Sequence, residues 1–299
     1  MEMVLCDIAP DGRVLLGVVT SSIGMRGCGP GSDQERELSW LDASLPVDLS
    51  GDGRSVLFLE SGIADGPYSV YLRGIDGSPA TRIGNDRPLA LSPDGRWVLA
   101  MRYTRPQRLV LLPTGPGETA VVKAGGIEEY ACASWLPGGR DIVFQGNVHG
   151  EKARLFVQRV PDGEPRPITP PGVDAHPVIT HVVVSPDGQR VAALSPQGRL
   201  TLYPVSGGTP EDICALDYGE WLSQWSADGK SLFVSHLGSP LEVSRLDLAS
   251  GRQASWKKLG PPDRAGAFSE ALLVTPDGGS YVYSYSRTLA TLFVVDGLK

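Results

Sequence analysis

The chain has 299 residues, of which 27 are basic and 34 acidic, so its formal net charge is −7. This acidic balance argues against a nucleic-acid-binding protein, which needs a basic surface to face the phosphates. Glycine and proline make up about a fifth of the chain, against about an eighth in an average protein, which excludes long helices and favours short strands joined by turns.

No apolar run approaches the roughly 18 residues of a membrane-spanning helix, and the N-terminus lacks the basic start of a secretory signal. We therefore expect a cytoplasmic protein without direct membrane insertion. The four cysteines, Cys6, Cys28, Cys132 and Cys214, are far apart and form no Cys-x-x-Cys pair. They are expected to be free thiols, and the sequence predicts no metal and no cofactor.

A glycine-containing turn recurs seven times, at intervals of 41 to 49 residues. In its fullest form, Ser-Pro-Asp-Gly, proline fixes one φ angle, aspartate accepts local backbone hydrogen bonds and glycine adopts positive φ. A period in the forties with strand patterns is typical of β-propeller blades. The turn residues are Asp11 and Gly12, Asp52 and Gly53, Asp94 and Gly95, Gly138 and Gly139, Asp187 and Gly188, Asp228 and Gly229, and Asp277 and Gly278.

Each turn follows a short apolar segment and precedes an alternating strand, after which a third and a fourth strand complete the unit. The second strands are, in chain order, residues 55–61, 97–102, 141–146, 190–195, 231–236 and 281–286. The predicted fold is all-β: one propeller of seven four-stranded antiparallel units over 1–299, at roughly 1–40, 41–84, 85–125, 126–170, 171–216, 217–260 and 261–299.

The two ends of the chain affect how the ring closes. Residues 1–9 have the pattern of an innermost strand, and the last unit ends after its third strand. We therefore expect a three-stranded last blade and a ring closed by packing between blades. The alternative is that upstream strands of a longer polypeptide complete the sheet.

The position before each turn is large and apolar in all seven units. Its occupants are Ile8, Leu49, Leu91, Trp135, Val184, Trp225 and Val274. Because an innermost strand is packed on both faces by neighbouring blades, we expect this column to join blade to blade.

The Ser-Pro-Asp-Gly-Arg turns and the strands that follow them resemble the TolB-type propeller repeat. Residues 36–62, 70–101 and 276–299 are similar to the C-terminal propeller of bacterial membrane-anchored serine/threonine protein kinases. The kinase motifs themselves are missing from the sequence. The resemblance thus implies a sensor region without its kinase domain, an extracytoplasmic location as the alternative to the cytoplasm, and association with upstream kinase or propeller segments.

The sequence contains no Gly-x-Ser-x-Gly nucleophile elbow and no phosphate-binding loop. Asp7 and Asp48 occupy equivalent positions that we expect on buried inner strands, where a carboxylate must accept hydrogen bonds. We interpret them as caps of nearby backbone amides. The alternative is a hydrolase or lactonase with an acidic and histidine site in the central funnel, formed by Asp7, Asp48, His176 and His236.

The loops sort onto two ends of the propeller. The repeat turns share one end, and the loops between blades and between second and third strands share the other, called here the loop-rich face. Variable loops on a rigid scaffold commonly carry function, so we place a ligand or partner there. The candidate residues are Arg105, Tyr130, His149, His176, Tyr218 and His236. The predicted function is non-catalytic recognition of a protein or small ligand.

Overall fold

The computed structural model describes residues 2–61, 68–175, 182–195 and 197–296. The alternating segments between the turns form β-strands, as their side-chain period of two predicts. None of the described residues belongs to a helix long and apolar enough to cross a membrane. In chain order the strands are β1 (Glu2–Ile8), β2 (Val14–Cys28), β3 (Arg36–Glu37), β4 (Ser44–Leu49), β5 (Ser55–Ser61), β6 (Tyr68–Gly74), β7 (Thr81–Gly84), β8 (Arg87–Leu91), β9 (Trp97–Arg102), β10 (Arg108–Pro113), β11 (Ala120–Val121), β12 (Ile127–Trp135), β13 (Asp141–Val148), β14 (Arg154–Arg159), β15 (Arg166–Pro167), β16 (Val183–Val184), β17 (Arg190–Leu194), β18 (Arg199–Pro204), β19 (Glu211–Ala215), β20 (Glu220–Trp225), β21 (Ser231–His236), β22 (Leu241–Asp247), β23 (Gln253–Leu259), β24 (Ala267–Val274) and β25 (Tyr281–Val295).

These strands form a propeller of six blades, so the prediction of seven is wrong. Blades 1 to 5 are antiparallel sheets of four consecutive strands: β4–β7, β8–β11, β12–β15, β16–β19 and β20–β23. Blade 6 has the order β24-β25-β2-β1, with β3 paired to β2. The first and seventh sequence units therefore share one blade, which is why seven turns produce six blades.

Blade 6 is built from both ends of the chain. β2 pairs with β25 over 15 residues, from Val14 opposite Val295 to Cys28 opposite Tyr281. β1 pairs with β2 on the outside, so the turn at Asp11 joins two outer strands. The predictions of an inner strand at residues 1–9 and of a three-stranded last blade are therefore wrong. A hairpin turn has the same local sequence whether it joins inner or outer strands of a blade. Only the pairing of β2 with β25 shows that the Asp11 turn joins outer strands.

Five of the six inner turns carry the same hydrogen-bonded arrangement. In blade 2 the Ser92 hydroxyl donates to Asp94 Oδ1 at 2.6 Å, and that carboxylate accepts the Arg96 amide at 3.1 Å. Gly95, at φ +69°, donates its amide to the Ser92 carbonyl at 2.8 Å. The pKa of each turn aspartate is lowered, mainly by the hydrogen bond from the serine or threonine hydroxyl and next by the hydrogen bond from the backbone amide. These aspartates are Asp52, Asp94, Asp187, Asp228 and Asp277.

The core lies between the blades. One cluster joins blades 2 and 3 through Leu99, Trp135 and Phe144, and another joins blades 4 and 5 around the fully buried Trp225. Ile8 departs from the predicted inter-blade column, because it lies on the outer strand β1 and is 60% exposed.

A cluster of tyrosines and glutamates joins the two chain ends. Tyr281 and Tyr283 donate their hydroxyls to the two oxygens of Glu35, at 3.0 and 2.9 Å. Tyr285 donates to Glu37 at 2.9 Å, and Arg26 of β2 forms an ion pair with Glu37 at 3.2 Å. The tyrosines occupy alternate positions of β25, so all three face the same way. We call this set the tyrosine–glutamate zipper.

We expect Tyr283→Phe to lower the free energy of unfolding by roughly 1.5–3 kcal/mol, the range for a hydrogen bond to a charged group. The variant removes one donor from Glu35 and leaves the buried ring in place. Urea denaturation measures the effect, with Tyr218→Phe as the control because Tyr218 is fully exposed. An equal change in the two variants would contradict a role of the zipper in ring closure.

The zipper also predicts loss of stability at alkaline pH. Burial, reinforced by the Glu35 and Glu37 carboxylates, raises the pKa of all three tyrosines, that of Tyr285 to about 12. A raised pKa in the folded state contributes stability that is complete below the unfolded value of about 10 and is lost as the pH rises above it. Replacing Tyr281, Tyr283 and Tyr285 together by Phe should flatten the decline in stability that the native chain shows from about pH 10 to 12.

Candidate functional site

A cleft on the loop-rich face lies between blades 2 and 3. One wall is the loop between β9 and β10, and the other is the beginning of β12. This blade 2–3 groove has a volume of about 690 Å³. Its lining residues are Tyr103, Thr104, Arg105, Pro106, Gln107, Glu128 and Glu129.

Gln107 links the two walls of the groove by hydrogen bonds. Its backbone amide donates to the Glu128 carbonyl at 2.9 Å, and its side-chain oxygen accepts the Tyr130 amide at 2.8 Å. Within the loop, the Thr104 hydroxyl donates to the Pro106 carbonyl at 2.7 Å. The groove is therefore held in shape by hydrogen bonds between blades and does not depend on loop packing alone.

The groove presents an aromatic ring at its edge. Tyr103 is 52% exposed and stacks on Tyr68 of blade 1, with the ring centroids 5.8 Å apart. Partial burial raises the pKa of the Tyr103 hydroxyl. The base of the loop is fixed by Arg102, whose guanidinium donates to both oxygens of Asp86 at 2.9 and 3.1 Å. An exposed ring on a supported loop is a suitable anchor for a ligand side chain.

The charged groups of the groove are of both signs. Arg105 lines one wall, while Glu128 and Glu129 line the other. His149, which lies largely in solvent, forms an ion pair with Glu128 at 3.1 Å when the imidazole is protonated. A ligand entering the groove thus meets one cation, two carboxylates and the Tyr103 ring.

The predicted ligand-face residues fall into two groups. Arg105, His149 and Tyr130 belong to the region of the groove, but Tyr130 is only 5% exposed and packs on Phe144, so only its backbone reaches the groove wall. Burial raises the pKa of Tyr130 to about 12.

The second group lies in and beside blade 5 and is separate from the groove. Tyr218 and His236 are exposed there. His236 is the last residue of β21, and Tyr218 lies in the turn that precedes β20. His176 lies outside the described residues. Sequence reasoning does not single out Tyr103 and Gln107, because their roles depend on Tyr68 and Tyr130, which neighbouring blades supply.

The two aspartates that the sequence treats as equivalent have different positions. Asp48 lies near the central channel, where it accepts the Leu91 amide of blade 2 at 2.7 Å and the Leu49 amide at 2.8 Å. It therefore caps backbone amides across a blade boundary, as interpreted from the sequence. Asp7 lies on the exposed outer strand β1, so its predicted place on a buried inner strand is wrong.

Within the described ranges, no group of three or more His, Cys, Asp or Glu side chains is placed to hold a metal ion. Of the four residues suggested for a central-funnel enzyme, Asp7 and His236 lie away from the channel mouth that Asp48 lines. His176, the fourth of them, lies outside the described residues.

No protein-family model matches the chain. No curated protein matches it either. Among solved structures, a TolB from Agrobacterium tumefaciens has a TM-score of 0.63 at 16% identity, with 90% of this chain and 99% of that chain covered. TolB from Acinetobacter baumannii has a TM-score of 0.58 at 16% identity, with 80% and 66% covered. An oligogalacturonate lyase in complex with manganese has a TM-score of 0.55 at 17% identity, with 93% and 76% covered.

At these identities the likeness concerns the fold. The chain spans about two thirds of the Acinetobacter TolB. Together with the six-bladed architecture, these comparisons show that the chain has a TolB-like β-propeller fold.

We expect Asp48→Ala to lower the free energy of unfolding by roughly 1–3 kcal/mol, because two backbone amides at a blade boundary lose their acceptor. Asp7→Ala is the matched control, since Asp7 has the same place in the repeat but lies on an exposed strand and should change stability by about 0.5 kcal/mol or less. Thermal or urea unfolding measures both variants. Equal losses would show that the Asp48 contacts do not stabilise the ring.

Proposed function

We propose that the protein is a non-catalytic recognition module that binds a polypeptide segment in the blade 2–3 groove of its loop-rich face. The observation that carries the proposal is the exposed Tyr103 ring, supported by Tyr68, beside charged groups of both signs. Exposed aromatic anchors surrounded by polar side chains are frequent in protein recognition sites.

The chemistry of the groove indicates which segment would fit. An apolar or aromatic side chain of the partner would pack on Tyr103 and Pro106. A basic side chain would meet Glu128 and Glu129, and an acidic group would meet Arg105. A small ligand could use the same contacts, but a cleft open to solvent between two blades favours a peptide segment.

The resemblance of residues 36–62, 70–101 and 276–299 to kinase-associated propellers extends this proposal. On that reading the module is the sensor region of a receptor-type serine/threonine kinase, and an occupied groove would be the sensed state. This extension depends on the sequence resemblance, since the structural neighbours share the propeller fold alone.

The alternative of a hydrolase or lactonase gains no support from the positions of its suggested residues. The Asp48 carboxylate accepts hydrogen bonds from two backbone amides, and Asp7 lies on the outer strand of blade 6. We therefore do not propose a catalytic role for the central channel.

Selection from a random peptide library displayed on phage tests the proposal. Peptides selected on the native protein should bind Tyr103→Ala at least about tenfold more weakly, because the anchor ring is lost. Arg105→Glu should weaken peptides that carry an acidic residue. Isothermal titration calorimetry of synthetic peptides measures both effects.

Tyr218→Ala is the control, as it removes an exposed tyrosine from the same face, beside blade 5 and away from the groove. Its affinity should equal that of the native protein. Peptides that lose binding to Tyr218→Ala and keep it to Tyr103→Ala would overturn the assignment of the groove.

A further inference from the structure

Three strands of blade 6 continue beyond the edge of the propeller. β24 pairs with β25 only as far as Arg287, and the last link on that side is the Thr288 amide, which donates to the Gly266 carbonyl at 3.0 Å. From Leu289 to Val295, the only described strand that pairs with β25 is β2, whose other side carries β1. We call residues 3–8, 14–20 and 289–295 the projecting ribbon. Seven residues of extended strand reach on the order of 20 Å from the loop-rich face.

Both faces of the projecting ribbon are open to solvent. Most side chains of its middle strand, among them Leu15, Leu16, Val18 and Val19, are only half-buried, although a middle strand has neighbours on both sides. A sheet covered on one face would bury every second residue of that strand. No other blade therefore covers either face of the projecting ribbon within the described residues.

The two faces differ in their chemistry. Residues paired across antiparallel strands share a face, so the register places Met3, Leu5, Ile8, Leu289 and Phe293 together on what we call face A. These five side chains are between 44% and 69% exposed, and none of the described residues of face A is charged. The opposite face, face B, exposes Val4, Leu292 and Val294 but also contains Asp7 and Gly17.

The charges at the tip of the projecting ribbon argue against a lipid surface. Asp7, Asp11 and Asp296 surround the turn, and Arg13 is the single cation there among the described residues, where it pairs with Asp11 at 2.9 Å. Inserting this tip into a bilayer would bury an excess of negative charge beside anionic headgroups. A protein surface that packs on the side of the projecting ribbon leaves the tip in water.

We propose that face A is a homodimer interface, on which a second copy of this chain packs its own face A about a two-fold axis. A two-fold contact needs one self-complementary surface, and an uncharged sheet of large apolar side chains meets that need. The five exposed side chains carry on the order of 500 Å² of apolar area, close to the largest patch that a monomer usually leaves in water. Two copies together would bury about 1,000 Å², near the lower limit for a specific interface.

Sedimentation velocity of the full chain over a micromolar concentration series tests the proposal. The native chain should approach twice its 31.8 kDa mass as the concentration rises. The double variant Leu5→Glu, Phe293→Glu should raise the dimer dissociation constant at least about tenfold, because four glutamates would face one another across an apolar contact. Salt should strengthen the native dimer by screening the net charge of −7 on each copy.

The matched control is Val4→Glu, Leu292→Glu, which places two glutamates on face B of the same strands. This control should dimerise like the native chain, and both variants should keep the native circular dichroism and melting temperature. A native chain that stays monomeric throughout, or a control that loses dimerisation as strongly as the face A variant, would overturn the proposal. Co-sedimentation of the monomer with anionic vesicles, abolished by the face A variant, would assign the projecting ribbon to lipid and also overturn it.

Discussion

The structure depends on one long-range pairing, in which β2 near the N-terminus lies beside β25 near the C-terminus over 15 residues. The pairing completes blade 6, to which the C-terminal part of the chain contributes β24 and β25. Joining segments more than 250 residues apart has a large entropic cost, which the pairing and the tyrosine–glutamate zipper offset. The zipper also favours one register of the pairing, since Glu35 and Glu37 follow β2 in the chain and accept hydrogen bonds from the tyrosine hydroxyls of β25.

A closed ring has consequences for the site. The blade 2–3 groove exists because Gln107 of one blade meets Glu128 and Tyr130 of the next, and such contacts need blades at fixed angles. Asp48 contributes the same kind of bond between blades 1 and 2 near the channel. Polar contacts between blades therefore orient the loops, while the apolar clusters supply most of the stabilisation.

The β2–β25 pairing also accounts for the most unusual surface of the molecule. The two strands are longer than the blade that they complete, so their apolar ends leave the propeller as a three-stranded sheet. Exposed strands of this kind are normally paired or covered, since open edges and apolar faces promote association. The proposed recognition groove at blades 2 and 3 and the proposed dimer surface on blade 6 are separate, so on these proposals one chain binds a peptide and dimerises at once.

The sequence by itself determined the strands, the repeat turns and the propeller class, because these follow from local side-chain period and turn chemistry. It also indicated the capping role of Asp48. It could not distinguish Asp7 from Asp48, or the hairpin at Asp11 from an inner turn, because both carry the same local pattern. Only the tertiary structure decided the number of blades, the closure through β2 and β25, and the meeting of Tyr103 with Tyr68 at the groove. Each of these depends on contacts between segments distant in the chain, which a local pattern does not encode.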